Sequence, residues 1–193
     1  MLPSRSAARG SPAHNGAIVG SPLAIDLFCG LGGWAEGFLA EGYRVVGFDN
    51  DARFAGVYPG EFVLADVRSL DGRRFRGATV IVASPPCNPY VQLPWYDPPP
   101  PDGLWEEAVR IGMETGVPLI IENVRGAQRF HGRAVSHHGS RYLWGDVPLL
   151  APHRIYGKWR LPPSPDRAAL RAKIPLPLAR AVARAFRPSY PIG

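Results

Sequence analysis

Cys87 is the residue of this chain best placed to do chemistry. It closes the run Ala83-Ser-Pro-Pro-Cys-Asn88, straight after the apolar stretch Thr79–Ala83. The paired prolines fix their own φ and so hold the thiol that follows in one direction. In an open α/β sheet, ligands sit outside the carboxyl ends of the strands, where such a thiol would emerge. Taken alone, a cysteine is more often a small inert apolar residue. A second run, Leu119-Ile-Ile-Glu-Asn-Val124, places Glu122 directly after apolar residues. A carboxylate there is partly desolvated and holds its proton closer to neutral pH than one at the surface. A buried ion pair with a neighbouring arginine is the other reading. Cysteine and glutamate from adjacent strands make a nucleophile and acid pair.

A third constellation is Asp26-Leu-Phe-Cys-Gly-Leu-Gly-Gly33, a strand running into a glycine turn and then a helix. Gly30, Gly32 and Gly33 let the backbone bend and approach a ligand without side-chain clash. Asp49 ends the next strand 19 positions after Gly30, where a carboxylate reaches ribose hydroxyls in nucleotide-binding α/β folds. Asp66 ends the third, either to take an adenine amino group or to cap a turn. At this point an adenosine cofactor and a nicotinamide dinucleotide both fit.

These groups need a scaffold of alternating strands and helices, an α/β fold with an open, mostly parallel Rossmann-like sheet and helices on both faces. The expected strands are Ala24–Cys29, Arg44–Asp49, Phe62–Ala65, Thr79–Ala83 and Pro118–Ile121, each a nearly continuous apolar run as strands buried on both faces require. Helices are expected over Gly33–Glu41 through Trp34, Phe38 and Leu39, over Leu104–Glu114 through Leu104, Ala108, Ile111 and Gly112, and over Leu176–Phe186 through Leu178, Val182 and Phe186. Asn88–Asp102, with six prolines, reads as a stiff loop, and Pro148–Pro165 as another.

With 46% hydrophobic and 20% charged residues, the 193-residue chain is in the globular range and suits one domain over 23–193. Residues 1–22, rich in Ser, Ala, Gly and Pro and free of acids, read as a disordered tail. No apolar run approaches the ~18 residues of a membrane span, and a cytoplasmic protein is expected. The net charge of +6 lies wholly in residues 97–193, because residues 1–96 hold equal numbers of acids and bases. The excess is nearly all arginine, whose planar fork bonds phosphate oxygens in pairs, as a nucleic-acid enzyme would use it. Two cysteines without a CxxC pair suggest neither a disulfide framework nor zinc, and the spacing of His131, His137 and His138 matches no metal-ligand pattern.

Asp26–Gly33, Asp49, Asp66, Pro85-Pro86-Cys87 and Glu122-Asn123-Val124 together resemble the ordered motifs of the DNA cytosine-5 methyltransferases, from about residue 24 to 124. Weaker likeness resumes at Ser140–Trp144 and at Ile174–Phe186, similar to the family's final helix. The resemblance implies S-adenosylmethionine as cofactor, held by Phe28, Gly30, Leu31, Gly32 and Gly33 together with Asp49, Asp66 and Pro85. It implies that Cys87 adds to carbon 6 of a cytosine, Glu122 bonds N3 and the exocyclic amine, and methyl goes to carbon 5. A stacked base is out of reach, so the cytosine must flip out or lie in a single strand.

The chain departs from the family in places. Ser84 stands where a glycine is usual, Asn88 where a glutamine is, and Ala172-Lys173 where the final motif has Asn-Ser. The arginine motif can be set on Arg141, whereas aligning Leu143-Trp144 puts Tyr142 at its second arginine position. About 30 residues separate Trp144 from Ile174, too few for the family's long target-recognition domain. A compact, phage-like monomer of relaxed specificity is expected, with phosphates held by Arg154, Lys158 and Arg160, and with Tyr90, Trp95 and Tyr96 either stacking on the base or packing their own loop. The same chemistry on RNA or a free nucleotide, and a catalytically idle cofactor- or DNA-binding subunit, are the competing readings.

Overall fold

The computed structural model describes residues 20–91, 97, 101–150 and 167–187. The strands are β1 (Leu23–Leu27), β2 (Arg44–Asp49), β3 (Glu61–Leu64), β4 (Val80–Ala83), β5 (Leu119–Asn123), β6 (Ser136–His138) and β7 (Arg141–Gly145). The helices are α1 (Gly33–Ala40), α2 (Leu104–Thr115), α3 (Gln128–His131), α4 (Arg167–Ala172) and α5 (Leu176–Ala185). One sheet runs in the order β3-β2-β1-β4-β5-β7-β6. β1 to β5 are parallel, and β7 lies antiparallel to both β5 and β6.

The central strands are covered on both faces, which explains their unbroken apolar sequence. Val80 and Val82 of β4 pack with Trp34, Phe38, Leu178 and Val182 on the α1 and α5 side. Ile81 and Ala83 pack with Ile25, Leu27, Trp105 and Ile111 on the α2 side. The order of β1 and β4 puts the ends of both at the middle of the carboxyl edge, where the topology reverses.

The expected strands are all present, with ends shifted by one or two residues. Three details of the helices differ. Leu39 of α1 faces solvent, and the apolar face is Trp34, Ala35 and Phe38 beside Gly33 and Gly37. In α2 the buried set is Trp105, Ala108, Ile111 and Thr115, so Leu104 and Gly112 flank the stripe. In α5 Ala179 and Ala183 join Leu178 and Val182, and Phe186 is only half-buried. The hairpin β6–β7 and the short α4 were not expected. Most of the expected loops at 88–102 and 148–165, and residues 1–19 of the tail expected over 1–22, lie outside the described residues. No described helix is long and apolar enough to cross a membrane.

Chain closure rests on α5 lying hard against α1. A Cβ at Gly37 would sit 2.3 Å from the Cβ of Ala179 and 2.6 Å from its carbonyl carbon. One at Gly33 would sit 2.3 Å from the backbone nitrogen of Ile174. Tyr43, after α1, donates to the carbonyl of Ala183 at 2.9 Å, and Glu41 accepts from Arg180. We predict that Gly37→Ala destabilises the protein by about 1–3 kcal/mol, because backbone cannot retreat as a side chain can. Gly56→Ala, with no atom within 4 Å of its new Cβ, should stay within about 0.5 kcal/mol of the parent. Urea midpoints of the two variants check this, and equal midpoints would refute it.

Candidate active site

β4 delivers Ser84, Pro85, Pro86 and Cys87 to the carboxyl edge, and Cys87 caps a short 3-10 turn over Asn88–Tyr90. The segment is fixed from two sides. The carbonyl of buried Pro85 accepts from Nδ2 of Asn123 at 2.9 Å. The hydroxyl of Ser84 accepts from Nε1 of Trp34 at 3.0 Å and bonds Glu122. Cys87 itself is half-buried, and Cys29 is buried in the core.

The turn after Cys87 is braced by Tyr90. This residue packs the core and is 3% exposed; it is thus not free to stack on a base. Its hydroxyl lies 2.8 Å from Nε2 of His131, and the His131 ring stacks on Trp105 at 4.0 Å. The turn Arg125–Ala127 presses on the same place: a Cβ at Gly126 would stand 1.9 Å from the Tyr90 carbonyl oxygen. Trp95 and Tyr96 lie outside the described residues.

Glu122 and Asn123 end β5, and both side chains are buried. β7 runs back along β5 and pairs Leu143 with Glu122, bringing Arg141 of the same face to the carboxylate. The Arg141 guanidinium donates to Oε1 of Glu122 at 3.4 Å, to the carbonyl of Lys173 at 3.0 Å, and to that of Arg171. Burial pushes the Glu122 carboxyl above its usual range, against the pull of Arg141 and the Ser84 hydroxyl. Burial also raises the Cys87 thiol, the negative charge of Glu122 adds to it, and Arg141 opposes. Cys87, Glu122 and Arg141 are therefore electrostatically one group, from three different strands.

At the neighbouring end, β1 enters its turn through Phe28, which takes φ of 57°, a strained conformation for a residue with a side chain. Gly30 follows at φ of 49° and Gly32 at 72°. The Gly30 N–H donates to Oδ2 of Asp49 at 2.9 Å, and Oδ1 accepts from the N–H of Asp51 at 3.0 Å. A Cβ at Gly30 would meet nothing within 4 Å, so the turn is open on that side. Leu31 is half-buried beside it, and buried Gly33 opens α1. Asp66 caps the turn at Val67–Ser69, accepting from the N–H of Arg68 at 2.9 Å and pairing with its guanidinium at 3.1 Å.

At this end Tyr58 was missed in the sequence, and Asp26, though part of its motif, was given no role. Asp26 is buried beneath the turn, accepting from the Tyr58 hydroxyl at 3.1 Å, while its Oδ1 has no partner among the described residues. Burial holds its carboxyl well above the usual range. Tyr58 reaches it because position 47 is glycine: a Cβ there would stand 2.3 Å from the tyrosine ring. An open glycine turn over an unsatisfied buried carboxyl fits a polar ligand such as the adenosylmethionine expected from the motifs. Neither Asp26 nor Tyr58 stands in a pattern that marks such a pairing.

Of the remaining expectations, Arg154, Lys158 and Arg160 lie outside the described residues. The three histidines separate: His131 stacks on Trp105, His137 stacks on Tyr142, and His138 is buried in β6.

The model of the C-5 cytosine-specific DNA methylase family matches residues 23–137, more than half of the chain. The chain belongs to that family. The match spans the glycine turn, Asp49, Asp66, Cys87 and Glu122, and ends before Arg141 and the final helix. Among curated proteins none matches. Solved structures similar to this methylase-family chain include one described as a DNA modification methyltransferase encoded within an E. coli prophage, at 24% identity and TM-score 0.46, covering 57% of this chain and 34% of that one. A Spodoptera frugiperda DNMT2 variant is 20% identical at TM-score 0.44, over 56% and 37%. The S. pombe Dnmt2 methyltransferase is 15% identical at TM-score 0.42, over 56% and 36%. The chain thus spans about a third of the length of these proteins.

Two measurements test the site. Iodoacetamide should alkylate Cys87 with a midpoint above that of a free thiol, about pH 8.5. Glu122→Gln should lower that midpoint and Arg141→Ala should raise it; mass spectrometry across a pH series reads both, and unmoved midpoints would break the proposed coupling. His131 is held below its ordinary value by burial. The unfolded chain therefore takes up this proton first as pH falls. The stability His131 contributes is complete above its unfolded value, about 6.5, and is lost as pH falls through the lowered native one. Between neutral and mildly acidic pH, His131→Phe should lose less of its urea midpoint than the parent does.

Proposed function

We propose that this chain transfers a methyl group from S-adenosylmethionine to carbon 5 of cytosine in DNA, as a single catalytic unit over residues 23–193 that α5 completes. The observation carrying the reading is that Arg141 pairs with the buried Glu122 carboxyl at 3.4 Å, while the charges of both act on the half-buried Cys87 thiol.

Cytosine is a weak nucleophile at carbon 5, so a thiolate must first add to carbon 6. Cys87 is the group for this step, and its proline frame limits the directions from which it can attack. Glu122, whose carboxyl burial raises above its usual range, is the group to give a proton to N3 as the sulfur–carbon bond forms, which draws the added electron pair into the ring. Asn123 keeps the Pro85 carbonyl fixed, and with it the start of the loop that aims the thiol. Phe28, Gly30, Leu31, Gly32, Gly33, Asp49, Asp66 and Pro85 are the residues to hold the cofactor, which when bound supplies an electrophilic methyl group. Loss of the carbon 5 proton to water then restores the ring's double bond and expels Cys87 as thiolate, while N3 returns its proton to Glu122.

The test is covalent trapping on DNA containing 5-fluorocytosine, since fluorine at carbon 5 blocks the final elimination. An adduct that requires both S-adenosylmethionine and Cys87 is expected. Cys87→Ala should give none, and Glu122→Gln should form it about 10²–10⁴ times more slowly. A sample that binds the cofactor, forms no adduct on DNA and methylates free dCMP would move the substrate to the nucleotide. One that methylates neither would reduce the chain to a binding subunit.

A further inference from the structure

The segment that leaves the catalytic strand is strongly one-signed. Between Arg125 and Arg141 there are four arginines and three histidines, and no acidic residue. It folds around a cleft of about 400 Å³ lined by Arg125, Gln128, Arg133, Ser136, His137 and Tyr142. That is room for one nucleotide, at the lower end of small-molecule sites. Arg125, Arg133 and His137 are exposed, and neither arginine bonds or pairs with another described residue. Elsewhere arginines pair readily: Arg53, Arg68, Arg73 and Arg110 each hold a carboxylate on their own element or turn.

The cleft is tied to the reaction site by backbone. Arg125 lies two residues past Asn123, and its turn bears on the carbonyl of Tyr90, the last residue of the turn that Cys87 caps. Across the sheet, Tyr142 stands opposite Asn123 and is flanked by Arg141. The Tyr142 ring is held by the His137 ring, stacked at 4.9 Å and 17°, which gives the cleft a firm aromatic wall beside two guanidinium groups that pair with none of the described residues. Paired arginines beside an aromatic face are the recognition chemistry of a sugar-phosphate strand.

We infer that this cleft holds the DNA strand next to the target cytosine, with Arg125 and Arg133 on its phosphates and the His137–Tyr142 pair against the neighbouring base. The inference rests on the proposed DNA substrate and adds a strand-binding site made of the β5–β7 connection.

The test is fluorescence anisotropy of the full-length protein on a cytosine-containing oligonucleotide, single-stranded and duplex, between about 50 and 200 mM salt. Arg125→Ala and Arg133→Ala should each lower the slope of log affinity against log salt by about 0.7–0.9, and the pair of changes by twice that. Arg129→Ala is the control: it belongs to the same segment, lies outside the cleft lining, and has its guanidinium over the Phe130 ring. It should leave the slope unchanged. A double variant that keeps the parent slope, or a control that loses as much, overturns the cleft as a strand site. If the parent still forms the Cys87 adduct on DNA, only the cleft has failed. If the parent neither binds nor reacts with DNA, the cleft and the substrate reading fail together.

Discussion

A buried carboxyl group that has to be partnered organises the reactive end of this fold. Glu122 ends a strand covered on both faces, where an unpaired charge would cost several kcal/mol. The chain meets that cost with Arg141, which the antiparallel return of β7 carries to it. The same guanidinium also ties down the carbonyls of Arg171, in the last turn of α4, and Lys173, just past it. Lys173 in turn pairs with Glu36 in the first turn of α1, at 2.5 Å. A line of charge thus runs from the catalytic strand, through the closing segment, to the helix that opens from the glycine turn.

The departures at Ser84 and Lys173 gain a physical account from that line. A glycine at 84 would leave the Trp34 indole N–H without its acceptor and take a donor from Glu122; the serine supplies both. Lysine at 173 puts its charge against Glu36, and its carbonyl on Arg141. Both residues differ from the family pattern, yet each links the cofactor end to the chemical end.

The parallel core was legible because strands covered on both faces have to be apolar throughout, as Val80–Ala83 and Leu119–Ile121 are. Cys87 and Glu122 were legible because each follows such a run directly. β6 and β7 were not: Ser-His-His and Arg-Tyr-Leu-Trp-Gly carry no strong alternation, and their pairing is decided by the exposed edge of β5. The pairing of Asp26 with Tyr58 was hidden for a similar reason, because it depends on a glycine on another strand that makes room for the ring. Tyr90 sat in a proline-rich stretch whose composition suggests exposure, and Trp105, Phe130 and His131, brought from distant segments, bury it.

Counting charge shows why one arginine is enough for the proposed reaction. With Glu122 protonated and Cys87 ionised, the site holds one negative charge, on sulfur, facing Arg141. As sulfur adds to carbon 6 and N3 takes the Glu122 proton, sulfur becomes neutral and the carboxylate becomes the anion. The negative charge has moved from one partner of Arg141 to the other while the total is unchanged. Burial raises both groups, so the state with two anions is the one it disfavours most. An environment that made either group strongly acidic would hinder that exchange: a very acidic thiol would be a poorer nucleophile, and a very acidic carboxyl would have no proton to give at neutral pH. The desolvation that makes this pair expensive to bury is thus also what keeps the proton and the electron pair available to the ring.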